Sequence, residues 1–228
     1  SNIIPNSKEI DAWASRFRLM SGRPLDEGHP ILDTELVTEK LRARVAIAQR
    51  PLSPSGISIA FRRHRSEPWT MPLFIDNKMV SPFAAGLLWF LVEGARTILI
   101  SGTRGAGKTS LMSAMMSLLM KKYRIITVED TLELPVDSFV DLGYDILSMK
   151  VQSAIFGEKS ELSAEEGIRT TLRLGDSALV IGEVRSSEAK ALYEAMRVGA
   201  LSNVVMGTIH SESPYGVFDR GGNDLGVP

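Results

Sequence analysis

Eight consecutive residues, Gly102, Thr103, Arg104, Gly105, Ala106, Gly107, Lys108 and Thr109, fit the pattern G-x-x-x-x-G-K-[ST]. The chemistry they suggest is anion binding. Glycines let a loop curl until successive backbone N–H groups point inward, and the positive end of a following helix adds to the same concave site. Lys108 would reach the β- and γ-phosphates of a nucleotide. The Thr109 hydroxyl, with Ser110 beside it, would join a magnesium ion. The context agrees: the apolar run "TILIS" (97–101) precedes the loop, and an apolar helical pattern follows it.

Three further apolar runs end in polar residues. "RIITV" ends in Glu129 and Asp130, "ALVI" in Gly182 and Glu183, and "NVVMGTI" in His210. In an open parallel sheet, ligands bind beyond the carboxyl ends of the strands. The loop, the carboxylates and the histidine are therefore expected on one edge. Hydrolysis of a phosphoanhydride needs an in-line water, a metal to neutralise charge and a cation for the transition state. Glu183 is read as the acid that helps hold magnesium, and Glu129 as the acid that polarises the water. The reverse assignment is equally open. His210 would sense the γ-phosphate. Asp130 and Glu133 are read as caps of the turn "TLELP".

The elements that must position these groups follow from the pattern. Between the apolar runs lie helical stretches at 110–122, 164–174 and 187–198. Unbroken apolar strands alternating with helices mean a parallel sheet covered on both faces. Upstream, Ile10, Trp13, Phe17 and Met20 recur at helical spacing within 8–20. "RARVAIAQ" (42–49) and "GISIAFRR" (56–63) read as two strands joined by a turn-rich loop. The stretch "HRSEPWTMPLFIDNKMVSP" (64–82) carries three prolines and no clear period, and 67–80 within it reads as a linker. Ser81-Pro82 is a helix start. The expected division is 1–66, a smaller N-terminal α+β domain; 67–80, a linker; and 81–228, the P-loop core.

The bulk composition narrows the function classes. The chain has 228 residues, 44% hydrophobic and 23% charged, with a net charge of −1. That is a globular composition without a basic nucleic-acid footprint, so no nucleic acid is expected as partner. The absence of cysteine excludes disulfides and thiolate chemistry. The greasiest stretch, "FAAGLLWFLV" (83–92), is half the length of about 20 residues that a membrane span needs. It reads as a buried core helix. No repeat or low-complexity tract is visible.

Taken together, "GTRGAGKT", "TVEDTLELP", "LVIGEVRSSEA" and "MGTIHSES" resemble the Walker A, Asp box, Walker B and His box of the type II/type IV secretion ATPase family. That family includes motors of pili, secretion systems and the archaeal flagellum. "LRARVAIAQRPLSPSGISIAFRRHRSEPWT" is similar to the end of its N-terminal domain, nearest the archaeal branch. The resemblance covers about residues 25–220. It implies an α/β fold with a RecA-like P-loop core and mainly parallel sheet, preceded by the smaller domain. It implies an ATP-hydrolysing motor that uses ATP and Mg2+, with Glu129 (Glu133 beside it), Glu183 (followed by Arg185) and His210 as box residues. It implies a homo-oligomer, a hexameric ring, in which Arg42 and Arg44, then Arg62 and Arg63, approach a nucleotide at a subunit boundary. The partner would be a membrane-embedded platform protein, and the location cytoplasmic, peripheral at the inner face of the membrane. Arg104 stands where many members have serine or glycine, and the usual proline before the Walker B strand is missing from "LRLGDSALVIGE". The family continues with a further helical part after the residues matched here, so the chain is read as a piece of a longer protein. The rival readings are a nucleic-acid translocase ATPase and a non-hydrolysing nucleotide-gated assembly module; a small-molecule kinase ranks last.

Overall fold

The protein is described from a computed structural model, which covers residues 5–38, 41–64, 67–129, 131–151, 170, 171, 173, 174, 177–184, 204–219 and 222. Asp130, Arg185, the helical stretch 187–198 and, of 164–174, residues 164–169 and 172 lie outside the described residues. The chain forms two compact units, residues 1–66 and 67–228.

In the first unit, helix α1 (Ser7–Ser21) starts at a reciprocal cap. The Asn6 side chain accepts from the Glu9 N–H, and the Glu9 carboxylate accepts from the Asn6 N–H. It stops at Gly22, whose φ of 66° is left-handed. Three antiparallel strands follow in the order β1 (Ile31–Val37), β2 (Arg42–Ala48), β3 (Ser58–Arg63). Ala14 and Phe17 of the helix join Leu25, Leu32, Val45 and Ile47 in one buried cluster. Phe61 stands edge-on to both Trp13 and Phe17, at centroid distances of 6.3 and 5.9 Å. Strand β1 escaped the sequence reading because Thr34 stands between Leu32 and Leu36 on its inner face, while Ile31 and Val37 flank Asp33 and Glu35 on its outer one. Trp13 and Met20, expected on the buried face of α1, are exposed.

The second unit carries a five-stranded sheet, β4 (Thr97–Gly102), β5 (Arg124–Glu129), β6 (Ile146–Lys150), β7 (Ser177–Ile181) and β8 (Val205–His210), in the spatial order β4-β8-β7-β5-β6. All described pairings are parallel. Strands β5, β7 and β8 are buried nearly throughout, which is why they read as continuous apolar runs. Strand β6, half exposed, has no such run and was not anticipated. The fold class expected from the sequence is the one observed.

Three expectations are corrected here. Within the expected linker, Met71–Asp76 forms helix α2, and Met71 and Phe74 lie in the main core cluster. Helix α3 (Pro82–Glu93) starts as expected, with the Ser81 hydroxyl accepting from the Ala84 N–H. It is not a buried core helix, however. Ala85 and Val92 are buried, with Leu88 packed beside them, while Phe83, Leu87 and Phe90 are exposed. Among the described residues no helix is long and apolar enough to cross a membrane. Helix α4 (Lys108–Met116) begins two residues earlier and ends six residues sooner than the pattern suggested. The Ser117 hydroxyl turns back onto the Ala114 carbonyl, and the Ser117 carbonyl accepts instead from the Tyr144 hydroxyl at 3.1 Å. Helix α5 (Val136–Asp141) precedes β6, and α6 (Pro214–Asp219) follows β8.

Candidate functional site

The glycine-rich loop joins β4 to α4. Gly105 and Gly107 have φ of 80° and 86°, left-handed values that cost a side-chain-bearing residue about 1–2 kcal/mol. Gly107 is the N-cap of α4 and offers no capping side chain, so the first N–H groups of the helix are left for a ligand. Thr103 and Arg104 are exposed, while Thr109 and Ser110 are half-buried in the first turn. Lys108 folds back over the loop. Its Nζ donates to the carbonyls of Gly102 and Thr103, both at 2.9 Å.

Across the sheet the strand tips follow one another. Gly102 at the end of β4 is in register with His210 at the end of β8. Next comes β7, whose pairing with β8 continues past the strand: the Val184 N–H donates to the Thr208 carbonyl at 2.7 Å, and the Thr208 hydroxyl donates to the Gly182 carbonyl at 2.6 Å. These two bonds hold Glu183 between them. Its Oε1 lies 3.5 Å from His210 Nε2, an ion pair when the imidazole is protonated. Then comes β5, ending in Glu129. At about 4.8 Å per strand, the four tips span roughly 14 Å.

Burial holds the Lys108 ammonium below the ordinary lysine range, while the negative charges of Glu183 and Glu133 pull it back up. The Glu129 side chain is 2% exposed. Its Oε1 accepts from the N–H groups of Glu133 (2.9 Å) and Leu134 (3.0 Å). The structure thus brings Gly102 with Lys108, His210 and Glu183 together along three strand tips, and sets Glu129 against Gly182 with its carboxylate on two backbone amides. Glu133 was read from the residues as a cap and, through the resemblance, as the neighbour of Glu129 in the same box.

Arg42 and Arg44 lie in β2, alternating with buried Ala43, Val45 and Ile47, on the face away from that cluster. The Arg44 guanidinium grips Asp33 of β1 with a fork, Nε donating to Oδ1 at 3.0 Å and Nη2 to Oδ2. Both belong to the first unit, as do Arg62 and Arg63 in β3.

The sequence has relatives among known proteins. It matches the family described as Type II/IV secretion system protein over residues 2–227. The chain belongs to that family. Among curated members, it is 29% identical over 206 residues to the uncharacterized protein MJ0781 of Methanocaldococcus jannaschii, covering 87% of this chain and 27% of that one. It is 27% identical over 204 residues to the putative conjugal transfer protein Rv3659c of Mycobacterium tuberculosis, covering 88% and 56%. Among solved structures, the pilus retraction motor PilT with bound ADP superposes with a TM-score of 0.62 at 20% identity, covering 95% of this chain and 57% of that one. The Legionella pneumophila ATPase DotB gives 0.60 at 21%, covering 96% and 58%. At these identities the structural likeness establishes the fold, a RecA-like core with an N-terminal domain. The chain spans between about a quarter and about half of the length of these two curated relatives. The archaeal likeness expected from the sequence has a counterpart in the M. jannaschii relative.

Proposed function

We propose that this secretion-family chain carries the ATP-hydrolysing core of a motor that powers secretion or the assembly of a pilus-like or archaeal-flagellum-like machine. The observation that carries the reading is that the tips of the neighbouring parallel strands β4, β8 and β7 bring Gly102 with its bonded Lys108, then His210, then Glu183 to one edge of the sheet. Lys108 would exchange its two carbonyl partners for phosphate oxygens, while the N–H groups of the loop and of the start of α4 take the rest.

The donor set fits a magnesium ion held chiefly by phosphates. Such an ion needs only one or two protein ligands, and Thr109 and Glu183 supply a hydroxyl and a carboxylate. Among the described residues no group of three or more potential ligands is gathered that would cage a metal without nucleotide. Bound there, magnesium would neutralise charge on the β- and γ-oxygens. The bonds from Thr208 and Val184 keep Glu183 at the phosphates. His210, paired beside Gly102, reports on the γ-position. Glu133, beside Glu129 in the same box, is the acid offered to the attacking water.

Assembly into a hexamer belongs to the same proposal, with Arg42 and Arg44 as cations offered to a nucleotide across a subunit boundary, Arg44 by leaving Asp33. So do a membrane-embedded platform partner, a cytoplasmic location peripheral to the membrane, and nucleotide-driven motion of the two units. PilT, titled a pilus retraction motor, supports this by analogy of fold.

The test is ATP binding and steady-state hydrolysis in the parent, Lys108→Ala and Glu183→Gln. The lysine variant should bind ATP about a hundredfold more weakly, the scale of losing charged hydrogen bonds. The glutamine variant should bind ATP yet turn over about 10²-fold or more slowly. A parent that binds ATP tightly and releases no phosphate in a single turnover would make the protein a nucleotide-gated assembly module instead.

A further inference from the structure

We propose that Glu129 is a positioning residue: its carboxylate is the internal strut of the turn that carries Glu133, and Gly182 is glycine to admit that strut. Its consequence for catalysis rests on the hydrolytic reading above. Its structural content does not.

Past the end of β5 at Glu129, the turn at Glu133 leads into the core at Leu134, which is 1% exposed. A side chain closes it. Glu129 Oε1 accepts both the Glu133 and the Leu134 N–H groups, in the way an N-cap oxygen gathers successive amides. An ionised acceptor makes such bonds shorter and roughly twice as strong as a neutral one. The base of the strut is fixed too. The Glu129 carbonyl accepts from the Val151 N–H at 2.9 Å, and the preceding Val128 carbonyl accepts from the Gly182 N–H at 2.9 Å.

Gly182 supplies the space. A Cβ there would stand 2.9 Å from Glu129 Cγ, 3.4 Å from Oε1 and 3.5 Å from Cβ. The clash falls on the middle of a buried side chain anchored at its far end, so it is not relieved by a swing of the tip. Gly182 has no left-handed φ, so space accounts for the residue type. The glycine sits between a strand buried throughout and Glu183. One position thus sets two acids: the residue after it pairs with His210, and the room it leaves holds the turn of the other box. In the sequence, a glycine closing an unbroken apolar run is the signature of such a close approach.

The experiment compares Glu129→Gln, Glu129→Ala, Gly182→Ala and the double variant Glu129→Ala/Gly182→Ala. It follows hydrogen exchange at the Glu133 and Leu134 amides, thermal stability, and kcat with KM for ATP. The exchange protection of those two amides should fall about tenfold or more in Glu129→Ala and in Gly182→Ala, the loss of roughly one hydrogen bond's net stability. Glu129→Gln, which keeps an acceptor oxygen, should hold most of that protection. Gly182→Ala should lower the melting temperature of the parent but not that of Glu129→Ala, because the side chain it strikes is gone, so the pair is non-additive. Across the set, kcat should fall in step with amide protection. Unchanged exchange at both amides in Glu129→Ala would overturn the proposal, as would additive destabilisation in the double variant. Loss of kcat in Glu129→Gln with protection intact would make Glu129 a catalytic group rather than a strut. If the parent hydrolyses no ATP, the functional reading fails alone, and the exchange and melting arms still judge the strut.

Discussion

The two sheets of this protein place their charged residues differently. In the three-stranded sheet of the first unit, Asp33, Glu35, Arg42 and Arg44 lie inside strands, on the face opposite the buried Leu32, Val45 and Ile47, and two of them satisfy each other across β1 and β2. In the five-stranded sheet of the second unit, β5, β7 and β8 are apolar along almost their whole length, and Glu129, Glu183 and His210 stand at or just past their last residues. A charge within a half-exposed strand finds a partner on the neighbouring strand or water. A charge at the tip of a buried parallel strand finds its partner at the edge itself: Glu183 meets His210 of the next tip, and Glu129 takes the amides of Glu133 and Leu134.

The contrast predicts unequal costs for removing polar contacts in the two sheets. The larger effect is expected at Thr208, buried at 2% and bonded to the Gly182 carbonyl. Thr208→Val keeps the shape and leaves that carbonyl without its donor, which should cost about 1–3 kcal/mol in urea unfolding and slow turnover by loosening Glu183. A variant as stable and as active as the parent would break the idea that β8 holds the β7 tip. The smaller effect is expected at Arg44→Ala. Its pair with Asp33 has side chains 31% and 28% exposed, so its loss should cost at most about 1 kcal/mol. The affinity for ATP should stay within about threefold, because the pair belongs to the first sheet. A large fall in nucleotide affinity of the unassembled chain would erase the distinction between the sheets.

How much of this was legible from sequence depended on which region was read. The P-loop and the acid-tipped apolar runs at 124–130 and 178–183 announced both the parallel sheet and its working edge, because burial on both faces leaves only the strand ends free to be polar. Strands β1 and β6 were missed for the opposite reason: each has an exposed side, and their mixed residues carry little period. Helix α2 was hidden in a proline-bearing stretch that tertiary packing of Met71 and Phe74 makes helical. The sequence marked Glu129 as an acid in the right place but not which way its carboxylate faced. That was decided by two backbone amides four and five residues ahead and by the room at Gly182, neither of which a one-dimensional pattern displays.

The central claim is that the tips of β4, β7 and β8 form one nucleotide site within the second unit. Backbone hydrogen exchange with and without saturating Mg-ATP tests it most directly. Slowed exchange confined to residues 103–110, 183–184 and 209–211, with β2 and β3 unaltered, is the predicted footprint. Protection that appears in 42–48 and 58–63 while the loop and the tips exchange as before would contradict it.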